Sequence, residues 1–160
     1  MPLDQLDRRI LEIVQDDADL SNVEIGDRIG LSPSPCLRRM RLLREAGIIR
    51  KRVALLEPEQ IGVPLIVFVN ISLEKQDEKS LKLFESRVVK LPEVVECYLV
   101  TGADLDYLLH VAMPDMKTYQ RFLMDHITVI PGLARIRSSY ALQKVKYSTA
   151  LPLKFLPMGK

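Results

Sequence analysis

The sequence predicts an α+β fold in two parts: a three-helix helix-turn-helix unit, winged by a following strand, and then a ferredoxin-like β-α-β-β-α-β domain. Two observations predict it. Apolar residues recur at helical spacing from Leu3 to Leu43, interrupted by Gly30-Leu31-Ser32-Pro33, which reads as a helix exit, a tight turn and a new helix start. Beyond Glu57 to Pro64, a linker by composition, the pattern changes to short alternating runs separated by two helical stretches. The expected divisions are therefore 1–56, a linker at 57–64, a second domain at 65–146 and a C-terminal tail at 147–160.

The first helix is expected over Leu3 to Val14, where Leu3, Leu6, Ile10, Leu11, Ile13 and Val14 form one stripe. Ser21-Asn22-Val23-Glu24 has the order of a capping box and predicts a second helix over Asn22 to Ile29. Gly26 inside that helix costs about 1 kcal/mol relative to Ala, so a close backbone contact is expected there. Ser32 is placed to cap the third helix, with Pro33 at its first position, where a missing N–H costs nothing, and Pro35 still within the first turn. On this helix Cys36, Leu37, Met40 and Leu43 are expected to face the core, with Arg38 and Arg41 pointing away and Arg39 and Arg44 on the flanks. Ile48 to Leu56 predicts a strand.

In the second domain, strands are expected at Leu65 to Leu73, Val94 to Val100, Tyr107 to Met113 and Ala134 to Val145, with helices at Lys79 to Lys90 and Asp115 to Ile127. Both helices of such a motif lie on one face of the sheet. The other face would expose Ile66, Phe68, Leu108 and Ala112, or else their neighbours, so pairing of two copies through the sheet is the expected remedy.

The net charge of +2 conceals a division along the chain. Residues 1–31 carry eight acids and three bases, whereas Ser32 to Arg52 carry seven bases against Glu45 alone; the remainder is nearly balanced. Positive charge confined to one helix and the segment after it is what contact with a polyanion requires. A helix with arginines on its open side fits the DNA major groove, with the preceding capped helix across the phosphates. The candidate DNA contacts are Ser21, Asn22, Ser32, Ser34, Pro35, Arg38, Arg39, Arg41 and Arg44. An ordinary solvated basic helix is the alternative, and Arg50, Lys51 and Arg52 read equally as a basic wing or a charged strand edge.

Several functions are disfavoured. Cys36 and Cys97 lack metal-ligand spacing, His110 and His126 form no catalytic or metal pair, and Asp104 with Asp106 offers too few oxygens to hold a cation, so neither a metal nor a cofactor is expected. No phosphate loop or nucleophile motif points to an enzyme. An RNA-recognition module shares the strand order, but Tyr107-Leu108-Leu109-His110-Val111 lacks its Gly-aromatic signature. The absence of a signal or spanning segment leads to an expectation of cytoplasmic location, without membrane contact.

Asp7-Arg8-Arg9-Ile10-Leu11, Ser21-Asn22-Val23-Glu24, Gly30-Leu31-Ser32-Pro33-Ser34-Pro35-Cys36 and Glu45-Ala46-Gly47-Ile48-Ile49 resemble the DNA-binding half of the Lrp/AsnC (feast/famine) regulators. Pro92-Glu93-Val94, Cys97 to Gly102, Asp106-Tyr107-Leu108-Leu109, Pro114-Asp115-Met116 and Pro131-Gly132-Leu133 resemble, in order, the family's sensor domain. The resemblance implies a transcription regulator that binds double-stranded DNA, responds to an amino acid, and forms homodimers that assemble into octamers. It also implies an effector site at Thr101, Gly102, Ala103, Asp104, Asp106 and Tyr107, with further contacts at Arg137, Ser138 and Ser139. Glycine there exposes backbone amides to a carboxylate and aspartate receives an ammonium, although a polar hairpin turn has the same composition. The stretch Ser138 to Leu153 resembles branched-chain-responsive members, which points to leucine or another apolar amino acid.

Overall fold

The structure, a computed structural model, describes residues 2–102 and 105–157. The chain divides into two compact units: Met1–Ala54 together with Lys146–Lys160, and Leu55–Val145.

The first unit contains α1 (Gln5–Asp16), α2 (Asn22–Ile29) and α3 (Pro33–Glu45). Two of these begin in reciprocal capping boxes. Asp4 accepts from the Asp7 N–H at 2.9 Å while its own N–H donates to the Asp7 carboxylate at 3.1 Å, and Ser21 and Glu24 do the same for α2. The expected cap at Ser32 does not form. The third residue of α3 is Pro35, which has no N–H to offer a capping hydroxyl. Gly30, at φ 74°, ends α2 in the left-handed conformation. Ile10, Leu11, Ile25, Ile29, Cys36, Met40 and Leu43 close the core between the three helices. Leu37, expected inside, is 55% exposed.

Gly26 makes the close contact expected of it. A Cβ built there would stand 2.5 Å from the Leu31 carbonyl oxygen, a backbone atom that cannot swing aside. Gly26→Ala should therefore destabilise this unit by about 1–3 kcal/mol, the cost of overpacking, despite the better helix propensity of alanine. Thermal unfolding followed through amide exchange in α2 and α3 measures it; a rise in stability would show that the turn can yield.

The strand expected over 48–56 is not formed among the described residues. A strand needs a ladder partner, and no strand among the described residues of this unit supplies one, so Ile48 to Val53 remains irregular.

The second unit contains β1 (Leu65–Leu73), α4 (Glu78–Val88), β2 (Val94–Leu99), β3 (Tyr107–Met113), α5 (Met116–Phe122), a π-helical turn (Leu123–Ile127) and β4 (Leu133–Tyr140). The strands form one antiparallel sheet in the order β2-β3-β1-β4, the ferredoxin-like arrangement. Val67, Val69, Ile71 and Leu73 alternate onto one face with Tyr107, Leu109, Val111 and Met113, and there they pack with Phe84 and Val88 of α4 and Tyr119 and Phe122 of α5. Ile66, Phe68, Leu108 and Ala112 occupy the opposite, helix-free face, with Phe68 stacked on His110 at 5.3 Å. Two expected boundaries shift. The last regular helix ends at Phe122 and its final turn widens to π geometry, and β4 stops at Tyr140 rather than Val145. β4 runs antiparallel to β1, so after the bond from the Ala141 N–H to Ile66 it passes the start of β1 at Leu65 and meets Pro64, which has no N–H.

Candidate functional site

In the first unit the exposed face of α3 carries Ser34, Arg38, Arg41 and Glu45 at helical spacing, with Ser32, Pro35 and Arg44 also exposed. Arg41 lies 3.6 Å from Glu45, a solvated pair with both partners more than 60% exposed, which does little to hold it. Arg39 behaves differently. Its guanidinium spans to α1, with Nη1 2.7 Å from Asp7 and Nη2 2.8 Å from Asp4. The Asp7 side chain is only 6% exposed. Arg39 therefore bridges α3 to α1, and the DNA contact expected of it would compete with two carboxylates. The Asp7 N–H, with Arg39 beside it, holds the Asp4 carboxyl below the usual carboxylate range. A sequence signal for this pairing exists: Asp7 sits on the Leu3, Ile10, Leu11 stripe and Arg39 on the Cys36, Met40, Leu43 stripe. Ser21 is exposed and spends its hydroxyl on the α2 cap, while Asn22 is half-buried at the first position of α2.

In the second unit the turn after β2 leads Thr101 and Gly102 outward, both exposed; Ala103 and Asp104 lie outside the described residues. Asp106 returns to the sheet and is 6% exposed. Its N–H donates to the Ile71 carbonyl at 2.7 Å, and its carboxylate accepts the Leu73 N–H at 2.7 Å. Leu73 lies one ladder step beyond Ile71, the last β1 residue paired with β3, so the Asp106 side chain continues the ladder where the β3 backbone has ended. Asp106 lines a cavity of about 400 Å³ with Ser72, Leu73, Gln76, Leu105, Ala134 and Arg135. That volume is at the small end for ligand sites, and the cavity brings a carboxylate and a guanidinium to one space.

The other expected effector residues do not converge there. Tyr107 turns to the helical layer, where its hydroxyl donates to Glu85 at 2.9 Å and burial raises its pKa; it lines a second cavity of about 390 Å³ with Val88, Val94, Cys97 and Leu99. Ser138 also faces the helices and hydrogen-bonds the Tyr119 hydroxyl. Arg137 and Ser139 pair in register with Asn70 and Phe68 and so lie on the helix-free face. Within one chain these residues stand on opposite sides of the sheet. Sequence reasoning passed over Ser72, Gln76 and Arg135. The period of two along β4 does link Arg135 to Arg137, but only the register places Arg135 beside Ser72.

The Lrp/AsnC ligand-binding-domain model matches residues 66–151, more than half of the chain, and a winged helix-turn-helix DNA-binding model matches residues 3–50. The chain belongs to the Lrp/AsnC family. The leucine-responsive regulatory protein of Klebsiella pneumoniae is 42% identical, the match covering 95% of this chain and 92% of that protein. That of Escherichia coli K12 is 41% identical over the same shares. A transcriptional regulator of Neisseria meningitidis, solved with L-Met, superposes with a TM-score of 0.91 at 39% identity, covering 96% of this chain and 99% of that one. Escherichia coli AsnC gives 0.84 at 26% identity, covering 93% and 98%. This Lrp/AsnC member is thus a transcription regulator rather than an enzyme, with a DNA-binding helix-turn-helix and an Lrp/AsnC ligand-binding domain. Among the described residues no helix is long and apolar enough to cross a membrane.

Proposed function

We propose that α3 reads operator DNA through Arg38, Arg41 and Arg44, with the Ser32 and Ser34 hydroxyls and the Ser34 N–H on phosphate, while the cavity at Asp106 receives an amino acid. The observation that carries the DNA reading is the sorting of the arginines: Arg39 is engaged with α1, and the other three stand exposed on the helix that follows the turn. Ser21 and Asn22, at the start of α2, are proposed as further phosphate contacts, and Pro35 as an apolar neighbour of the contact surface. Asp106 and Arg135 supply opposite charges for an ammonium and a carboxylate, and Thr101 and Gly102 shortly precede Asp106 in the chain. Leucine or another apolar amino acid is the proposed effector, because the leucine-responsive relatives align over nearly the whole chain and the Neisseria neighbour carries L-Met. The exposed Phe68 on the helix-free face of the sheet supports a homodimer, and we propose that such dimers assemble further into an octamer. With DNA as its partner, the protein works in the cytoplasm.

The test uses duplexes enriched from a random-sequence pool by the wild-type protein. Arg38→Ala, Arg41→Ala and Arg44→Ala should each weaken binding and make its salt dependence shallower, by about one unit of log-log slope for every phosphate that is no longer neutralised. Amide exchange within the helices should stay unchanged. Unaltered affinity and slope in the triple variant would remove α3 from the DNA surface. For the effector, a thermal-shift screen of the amino acids should single out apolar ones, since a ligand bound only by the native state raises apparent stability.

A further inference from the structure

The DNA-binding unit contains a segment that sequence separates from it by the whole ligand-binding domain. Lys146–Lys160 groups with α1 to α3 and not with the sheet it follows, and its Leu153 and Leu156 pack against the helical core. Gln15, on the last turn of α1, holds residue 151 at two points: its Nε2 donates to the Leu151 carbonyl at 3.3 Å, and the Leu151 N–H donates to its Oε1 at 2.7 Å. A carboxamide that engages both backbone groups of one residue takes the part of a neighbouring strand. Pro152 then directs the chain into a short 3-10 turn, Leu153–Phe155. At three residues per turn, Leu153 and Leu156 fall on one side. Both are half-buried against the core that holds Ile10, Ile25 and Leu43. Leu151 and Phe155 point outward, 73% and 75% exposed. The segment is therefore seated by particular side chains; general apolar stickiness would have buried the phenylalanine first.

We infer that residues 146–157 are a structural component of the DNA-binding unit, docked in a receptor groove at the C-terminal end of α1, and that DNA affinity depends on their being seated. A unit of some fifty residues has too small a core to be robust alone. Two leucines from the far end of the chain enlarge it. The ligand-binding domain is in effect an insertion within the DNA-binding unit, joined to it by two covalent links, at Ala54–Leu55 and Val145–Lys146. A disturbance at the end of β4 thus has a short covalent route to α1 that avoids the 57–64 linker.

The experiment uses the full chain and the enriched duplex described above. Leu153→Asp with Leu156→Asp should speed amide exchange in α1, α2 and α3 and weaken DNA binding, each by about tenfold or more, as expected for two half-buried leucines made polar. Exchange in β1 and β3 should not change. Gln15→Ala should abolish protection of the Leu151 amide and loosen the last turn of α1, a smaller effect. Phe155→Asp puts one such charge into the same segment at an exposed position and should leave both readouts at the wild-type level. The inference is overturned if wild-type amides of 147–157 exchange at unstructured rates, if the double leucine variant behaves like Phe155→Asp, or if protection is lost from the sheet as well. Failure of the amino-acid reading would leave these outcomes unaffected, because no effector is added.

Discussion

Arg39→Ala is expected to destabilise the DNA-binding unit by about 2–3 kcal/mol while Arg38→Ala, on the adjacent residue, leaves its stability within about 0.5 kcal/mol. The two arginines have the same charge and sit on the same helix; what separates them is the carboxylate each one meets. Removing the Arg39 guanidinium strands the Asp7 carboxylate, 6% exposed, without its cation. Breaking a buried pair from one side costs about 3–5 kcal/mol, and the 22% exposure of the Arg39 side chain, which lets water reach the site, reduces that figure. Amide exchange in α1 and α3 measures the loss as an acceleration of roughly 30- to 150-fold. Arg39→Met with Asp7→Leu should recover much of it, since two apolar groups leave nothing unpaired, although the Asp7 half of the α1 capping box is sacrificed. Acid should act on the same joint. Asp4 is held below its ordinary value of 3.8, so the stability it contributes is fully present above that value and is lost as the pH falls through its lower folded-state pKa. If Arg39→Ala weakened DNA binding with amide exchange unchanged, Arg39 would be a DNA contact and the clamp would have no energetic role.

This pair shows what a single sequence discloses about a helix surface. Periodicity located α2 and the start of α3, and alternation located β1 and β3, because each is a local consequence of which face is buried. The basic run was equally visible. Its division into a clamp and a contact face was less so, since it depends on an acidic residue 32 positions earlier, brought near only by packing. Other differences have the same origin. The strand expected at 48–56 lacked a partner to pair with, β4 ended where β1 began at a proline, and the Ser32 cap failed because Pro35 had removed the amide it needed. The expected effector residues stood out in the sequence only as a cluster of turn chemistry at Thr101 to Tyr107. The sheet register, which no window of the sequence contains, separates Ser138 from Arg137 and Ser139 and brings Arg135 toward Asp106 instead.

Asp106 accepts the Leu73 N–H and is also proposed to meet the effector's ammonium, and one substitution cannot separate the two, so two are needed. Asp106→Ala should abolish the response to an apolar amino acid and also destabilise the sheet domain by about 1–3 kcal/mol, because the buried Leu73 N–H loses its acceptor. Asp106→Asn keeps an oxygen for that N–H and should leave the domain near wild-type stability. It removes the negative charge that would meet a ligand's ammonium, and charge-assisted hydrogen bonds are roughly twice as strong as neutral ones. The asparagine variant should therefore bind DNA as the wild type does, unfold at nearly the same temperature without ligand, and show little or none of the thermal shift that the effector gives. Arg135→Ala should lose the same shift from the carboxylate side, with a smaller stability cost, because Arg135 is exposed at the cavity rim. If Asp106→Asn kept its full thermal shift, the ammonium would bind elsewhere and Asp106 would be the ladder's terminal acceptor alone. If Asp106→Asn lost stability as Asp106→Ala does, the carboxylate charge would be required by the fold, and ligand response could be assigned only from Arg135→Ala. The two variants thus distinguish a residue that shapes the cavity from one that also reads its occupant.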